Sequence, residues 1–422
     1  MTGKNMHKAE LPDPAAFSLF DPKVQSDPYA FYASLHAKCP VYRLPENGMY
    51  VVSKHADLTQ MLRDTATFSS VMERTTFLQG ENGKVMTEIL RAKGWEHVST
   101  LQRSDPPNHA RYRRIMDRAM NIKQVRNLQP RLEQICKELI DRFIDRGECN
   151  FVDEFAYPFP GTVIAELVGL GAGGLDQYRA WSENMLSYST RVLTREELIE
   201  CAEKEVVMQH QLAATFEDRR KNPREDLMTA LVTAYEGEEP LSMNELQNIM
   251  HQLISGGYET VPSALGHAMW QLLRFPQAMA ELRADRSLMR NFTDESLRFE
   301  APTQSLYRRT TRDTVLNGTP IPAETFVMAR YGAANRDPEQ FPEPEKFDLH
   351  RDNANRHLSF GNGVHFCPGA VLARQEFTVA FNAILDRMAD IELSRPLPDP
   401  VHRPSMGLLP MKELWIRFRK TA

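Results

Sequence analysis

The stretch from Ser242 to Phe275 constrains the fold more than any other part of the chain. Apolar residues recur there with helical period over thirty-odd positions. Ser242, with Glu245 three residues on, forms a capping box, and Pro276 forbids continuation. At 1.5 Å per residue such a helix spans roughly 50 Å, the width of a domain, so most of its length must lie inside protein. Its middle, LISGGYETVPSALG, works against it. Gly256 and Gly257 each cost about 1 kcal/mol relative to alanine. Pro262 offers no N–H to the carbonyl of Tyr258 and crowds it, a penalty of about 3 kcal/mol. Three breakers within seven residues predict a hydrogen-bond ladder opened at Glu259 and Thr260. The competing explanation is that small residues let another helix approach closely.

Helical period dominates elsewhere too. QPRLEQICKELIDRFIDRG sets Leu132, Ile135, Leu139, Ile140 and Phe143 on one stripe, with Gly147 as the stop. Strand-like runs are short and few: GMYVVS at 48–53, and TVLNGTPIPAETFVMAR at 314–330, where Asn317-Gly318 signals a hairpin. The expected fold is therefore mainly α with a minor β region. No repeat, low-complexity tract or Gly/Ser linker divides the chain, which predicts a single domain over 27–422 behind a loosely ordered segment, 1–26. Hydrophobic residues at 42% and charged residues at 25% fit a globular protein, and a net charge of −5 with both signs mixed argues against a nucleic-acid binder. Five scattered cysteines without a CxxC argue against a disulfide framework and for a reducing, cytoplasmic setting. No signal-peptide h-region and no membrane-length apolar run are present.

The segment FGNGVHFCPGAVLAR, 360–374, concentrates turn-forming residues around one cysteine and then opens a helix. A zinc site needs about four ligands, and His365 and Cys367 supply two. A nucleophilic cysteine needs a base and an oxyanion hole, which a glycine-rich loop does not itself offer. A haem-iron thiolate needs a bare backbone that lies flat against a macrocycle, and donors for the sulfur. Gly361, Gly363 and Gly369 give close approach, Pro368 suits a first helical position, and the helix that follows points its positive end at the sulfur.

FGNGVHFCPG resembles the cysteine-ligand loop of the cytochromes P-450, Phe-x-x-Gly-x-His-x-Cys-x-Gly; Phe360, Gly363, His365, Cys367 and Gly369 match it position by position. ESLR resembles the family's Glu-x-x-Arg, and Arg351 in FDLHR takes the place of the arginine that completes it. The resemblance implies that Glu295, Arg298 and Arg351 form a buried structural ion-pair network. DPPNHARYRR is similar to the start of the propionate-binding helix, implying that His109 and Arg113, one turn apart, contact haem propionates. His365 and Arg308 match two further propionate positions; Arg308 is preferred to Arg309 by its spacing to Asp313. GGYET resembles the oxygen-activation segment, with Gly256 at the glycine, Glu259 at the acid and Thr260 at the threonine. Phe360 and Gly361 complete the cofactor-binding set. The likeness runs from about Asp27 to the C-terminus. Pro368, Tyr258 and Pro262 depart from it, and bear on the sulfur's surroundings and the groove's shape.

The resemblance implies the cytochrome P-450 fold, a helix-rich triangular prism with small sheets and haem between the long helix and the cysteine-ligand helix. It implies haem b with Cys367 as the metal ligand. It further implies a monooxygenase in which Thr260 and Glu259 serve proton delivery. Electrons come from NAD(P)H through a separate ferredoxin or flavodoxin and its reductase, and Arg111, Arg114 and Arg118 are candidates for a basic docking face. Substrates of the family are mostly small to medium apolar organic molecules, taken through hydroxylation or oxidative dealkylation. Family lining positions fall at Arg74, Thr76, Phe77, Met185, Tyr188, Leu253, Thr303 and Leu306. A peroxide-driven haem-thiolate peroxygenase and a non-catalytic haem gas sensor are the alternatives. The Glu259-Thr260 pair weighs against the first, and the lack of a visible output module against the second.

Overall fold

The capping box forms as read. Glu245 N donates to Ser242 Oγ at 3.3 Å, and Ser242 N donates to Glu245 Oε2 at 2.8 Å. The helix then runs Met243–Tyr258, stops, and restarts as Thr260–Arg274. Glu259 sits between the halves with φ −110° and ψ −26°. The ladder opens where the breakers predict, and the two glycines divide the work. A Cβ on Gly257 would stand 3.0 Å from Ile164 Cγ1, so this glycine admits the helix Pro158–Leu167. A Cβ on Gly256 would meet nothing within 4 Å.

The computed structural model describes residues 11–72, 79–171, 173–190, 192–233 and 239–421. Helices carry most of this chain, and the strands are short. They are β1 (Val41–Arg43), β2 (Tyr50–Val52), β3 (Phe68–Ser69), β4 (Glu148–Asn150), β5 (Ser305–Thr310), β6 (Thr314–Leu316), β7 (Thr319–Ile321), β8 (Phe326–Arg330), β9 (Met388–Leu393) and β10 (Trp415–Lys420). A five-stranded sheet has the order β1-β2-β8-β5-β3, with β2 and β8 parallel and the other pairs antiparallel. The order β4-β10-β9 makes a second sheet, and β6-β7 is the Asn317-Gly318 hairpin. Asn317 and Gly318 have φ of +48° and +73°, the pair of left-handed residues that a two-residue hairpin demands.

The largest apolar core lies among the helices Gln129–Asp141, Thr260–Arg274 and Ala370–Arg387, where Leu132, Ile135, Leu265, Leu272, Phe381 and Ile384 pack together. Each such side chain contributes roughly 1.5–3 kcal/mol on burial. A second core joins the helices Leu175–Thr190 and Arg195–Lys221 to the first half of the broken helix.

The N-terminal expectation needs correction from residue 11 onward. Asp13 and Asp21 each cap a helical turn with a side-chain oxygen, Leu19 is buried, and the Ser26 carbonyl accepts from His402 Nδ1 at 3.0 Å. Local caps and one long-range hydrogen bond fix a segment whose composition alone reads as loose.

Candidate haem-thiolate site

Three positions of the cysteine loop decide its shape. Gly361 and Gly363 have φ of +72° and +69°, left-handed values that favour glycine. A Cβ on Gly363 would stand 2.7 Å from the backbone carbonyl of Leu62, so no side chain fits there. The Cys367 N–H donates to the Phe360 carbonyl at 2.8 Å and closes the loop. Pro368 does not take the first helical position: the helix begins at Ala370 with Gly369 as its cap, and Pro368 lies in the turn before it. The N–H groups of Gly369 and Ala370 face the sulfur. Burial pushes the Cys367 thiol up, and those two N–H groups, with Arg113 and Arg374, work against it. Phe360 lies beneath Arg374, whose guanidinium carbon is 4.6 Å from the ring centre, and Asp294 holds Arg374 at 2.8 Å.

The charge network around Glu295 forms with all three expected members. Glu295 and Arg298 are fully buried and paired at 2.7 and 2.8 Å. Arg351 Nε reaches Glu295 Oε1 at 3.2 Å. Remaining guanidinium N–H groups of Arg298 donate to the carbonyls of Asn335, Pro344 and Lys346 at 3.0–3.1 Å. The Asp348 N–H also donates to Glu295 Oε1, at 3.0 Å. A buried pair is tolerable when its other donors and acceptors are met in this way.

His109, Arg113, Arg308 and His365 come together from three separate parts of the chain. The rings of His109 and His365 have centroids 4.3 Å apart. His365 Nε2 lies 3.0 Å from Ser70 Oγ. Burial, followed by Arg308, His109 and Arg113, lowers His365 to about 3. Arg308 is buried, and its Nε has no hydrogen-bond partner. Arg309 is exposed and bonded to Glu324, which supports the choice between the neighbours. Arg113 donates to the Phe366 carbonyl and to Asp117 Oδ1. An orphaned buried guanidinium nitrogen among like charges is what an anionic group would satisfy. Together with the open side of Gly256 and the cysteine loop, this donor set fits a haem with its propionates.

At the break in the long helix, Thr260 Oγ1 donates to the Gly256 carbonyl at 2.7 Å. Glu259 is buried; it accepts from the Tyr157 hydroxyl and, at 2.7 Å, from Arg403 Nη2. Burial raises its pKa, while Arg403 and the Tyr157 hydrogen bond act to lower it. Tyr157 and Arg403 were not legible as partners, because each lies more than 100 residues from Glu259.

Leu253, Thr303 and Leu306 retain partly exposed surface, whereas Arg74, Thr76 and Phe77 lie outside the described residues. Met185 and Tyr188 are buried in the second core at 1% and 0% exposure. The Tyr188 hydroxyl donates to Glu205 Oε2 at 2.8 Å and lies 2.6 Å from His251 Nε2. That polar cluster draws it inward. Arg111 bonds Glu245 at 2.6 Å and the carbonyls of Glu239 and Pro240, while Arg114 and Arg118 are exposed. A cavity of about 420 Å³ beside Cys367 is lined by Arg113, Lys123, Phe366 and Val371.

Comparison with known proteins gives one consistent result. The profile of the family "Cytochrome P450" matches residues 189–414. Cytochrome P450 107B1 of Saccharopolyspora erythraea is 32% identical over 418 residues, 98% of this chain and 99% of that protein. 6-deoxyerythronolide B hydroxylase of the same organism is 36% identical over 322 residues, covering 76% of this chain and 78% of that one. The structure of CYP109Q5 from Chondromyces apiculatus matches with a TM-score of 0.83 at 29% identity, over 96% of this chain and 98% of that one.

Proposed function

Because the chain belongs to the cytochrome P450 family, and is a monooxygenase with haem b held through a cysteine thiolate, we propose that Cys367 is that ligand and that one atom of O2 enters a small to medium apolar organic substrate. The carrying observation is the loop at 360–369, shaped by two left-handed glycines and aiming the N–H groups of Gly369 and Ala370 at one sulfur. Both contacts favour the thiolate. Bound haem supplies the redox chemistry, and a thiolate ligand favours O–O cleavage. His109, Arg113, Arg308 and His365 hold the propionates.

Thr260 and Glu259 handle protons. The Thr260 hydroxyl, parked on the Gly256 carbonyl, becomes a donor toward the pocket by rotating about one bond. Glu259 is 7% exposed in its side chain and Arg403 is 49% exposed, so the pair links a buried carboxyl to the surface. Hydroxylation or oxidative dealkylation is the reaction class, the first supported by the relative named as a hydroxylase. Leu253, Thr303 and Leu306 form part of the substrate wall. Electrons arrive from NAD(P)H through a ferredoxin or flavodoxin and its reductase, docked over the cavity beside Cys367, with Arg114 and Arg118 exposed on the helix Asn108–Ala119 that lines it through Arg113 and Asp117. Among the described residues, no helix is long and apolar enough to cross a membrane.

The test is spectroscopic and then kinetic. Reduced protein with carbon monoxide should give the long-wavelength Soret band of thiolate ligation, and Cys367→His should abolish it. Thr260→Ala should lower product formed per NAD(P)H consumed while electron uptake continues. Turnover with peroxide alone, undiminished by Thr260→Ala, would favour the peroxygenase instead.

A further inference from the structure

Three buried side chains on separate segments bring ring nitrogens and a carboxylate oxygen close together. His267 is on the second half of the broken helix, Glu300 follows the helix Met289–Phe299, and His402 is in the C-terminal segment. Their exposures are 0%, 2% and 3%. His402 Nδ1 lies 3.0 Å from the Ser26 carbonyl, and a carbonyl only accepts. Nδ1 therefore carries the proton, and Nε2 presents a lone pair. His402 Nε2 has no hydrogen-bond partner, nor has Glu300 Oε2, nor either ring nitrogen of His267. The backbone carbonyls of Glu300 and Leu409 face the His267 ring and can take its one N–H, which leaves the other ring nitrogen with a lone pair.

Orphaned buried polar atoms are rare and each costs about 1–3 kcal/mol. Here they converge. One candidate ligand atom from each residue lies within 4.8 Å of the other two. The two histidine rings stand edge to face with centroids 5.1 Å apart. On the far oxygen of Glu300, Oε1, the Tyr29 hydroxyl donates at 3.4 Å and Arg274 approaches to 3.8 Å. The Gln271 side chain also reaches this carboxylate, and one of its oxygens lies within 4.8 Å of a ring nitrogen of each histidine. Two neutral imidazoles and one carboxylate make up a three-ligand set for a borderline divalent cation, with bond lengths of about 2.0–2.2 Å for zinc. The His402–Ser26 contact is the second hydrogen bond that metal-bound imidazoles almost always make.

We propose that His267, Glu300 and His402 bind a structural divalent metal ion, zinc in the first instance, separate from the haem iron. The site is closed on all sides, so the ion enters during folding, and its binding energy adds to folding. It ties the N-terminal segment, through Ser26, to the broken helix and to the helix carrying Glu295 and Arg298.

The experiment uses haem-loaded full-length protein produced in zinc-replete medium and dialysed against a chelator. Metal analysis should give about one zinc per haem iron. X-ray absorption at the zinc edge should give a nitrogen/oxygen shell with imidazole scattering and no sulfur. Glu300→Gln and His402→Leu should each lower the retained zinc about tenfold or more. Zinc-free protein overturns the proposal, and so does zinc retained equally by both variants, or a sulfur-containing shell. Should the variants not fold, the absorption spectrum of the unaltered protein decides alone.

Discussion

Arg403 Nη2 lies 2.7 Å from Glu259 Oε1 and also donates to the hydroxyl of Tyr157, which itself donates to that same carboxylate oxygen. A cation and a phenol thus share one oxygen of a buried acid. Burial alone favours the protonated carboxyl, and Arg403 opposes it. Replacing Arg403 with leucine removes the opposing charge, so Glu259 should keep its proton to higher pH. The limb of the pH–rate profile set by Glu259 should move up in pH. Arg403→Lys should return part of the shift, which a merely structural arginine would not do. A profile identical in all three proteins sinks the assignment of Glu259 to proton delivery.

Arg308 and Arg309 give a control within one dipeptide. Arg308 is buried with an unpartnered Nε, and Arg309 is exposed on Glu324. A charge-assisted hydrogen bond is worth about 1.5–3 kcal/mol. Transfer of haem to an acceptor protein should therefore run about tenfold to a hundredfold faster in Arg308→Leu. Arg309→Leu should lose haem at the parent rate. Equal rates in the two variants would remove Arg308 from the propionate set.

What could be read from the chain followed from how local each feature is. The cysteine loop was legible because turn chemistry, ligand and helix start are contiguous, though Pro368 was misplaced by two residues: Gly369 takes the cap, and the proline serves the turn. The break at Glu259 was legible because its causes, Gly256, Gly257 and Pro262, are adjacent to it. Of those glycines, Gly257 gives the close approach of another helix, while a Cβ on Gly256 would meet nothing within 4 Å. Long-range partners left no local trace. Arg403 reaches Glu259 across 144 residues, and Tyr188 turned inward because Glu205 accepts its hydroxyl proton and His251 Nε2 lies against its oxygen, each from another helix. Periodicity assigned Tyr188 to a face, and only the packing assigned its oxygen.

Glu376 provides a stability test. It is buried on the cysteine-loop helix, its Oε1 has no partner, and burial raises its pKa to about 8. The folded state therefore holds a proton that the unfolded chain releases near its ordinary value of 4.5. Stability falls as pH rises between those two values and levels off above the upper one. Glu376→Met removes the titration and keeps the volume. Its midpoint in denaturant should match the parent's near the acid end of that window and exceed it increasingly toward the upper end, by a few kcal/mol. A constant difference across the range would mean that this carboxyl ionises in the fold without cost.

Gly256 and Gly257 should respond oppositely to the same substitution. A Cβ at Gly257 would stand 3.0 and 3.2 Å from Ile164 Cγ1 and Cδ1, so Gly257→Ala forces the helix Pro158–Leu167 aside. Overpacking of that kind costs about 1–3 kcal/mol, more than the roughly 1 kcal/mol that alanine returns to a helix. Gly256→Ala meets no atom and should stabilise the haem-free protein by up to about 1 kcal/mol. With haem against Gly256, as the resemblance implies, the same methyl would crowd the cofactor in the loaded enzyme. Its product formation should drop while that of Gly257→Ala, once folded, is better kept. Thermal unfolding of haem-free protein and turnover of loaded protein separate the two effects. Equal destabilisation of both haem-free variants would place Gly256, too, against packed protein.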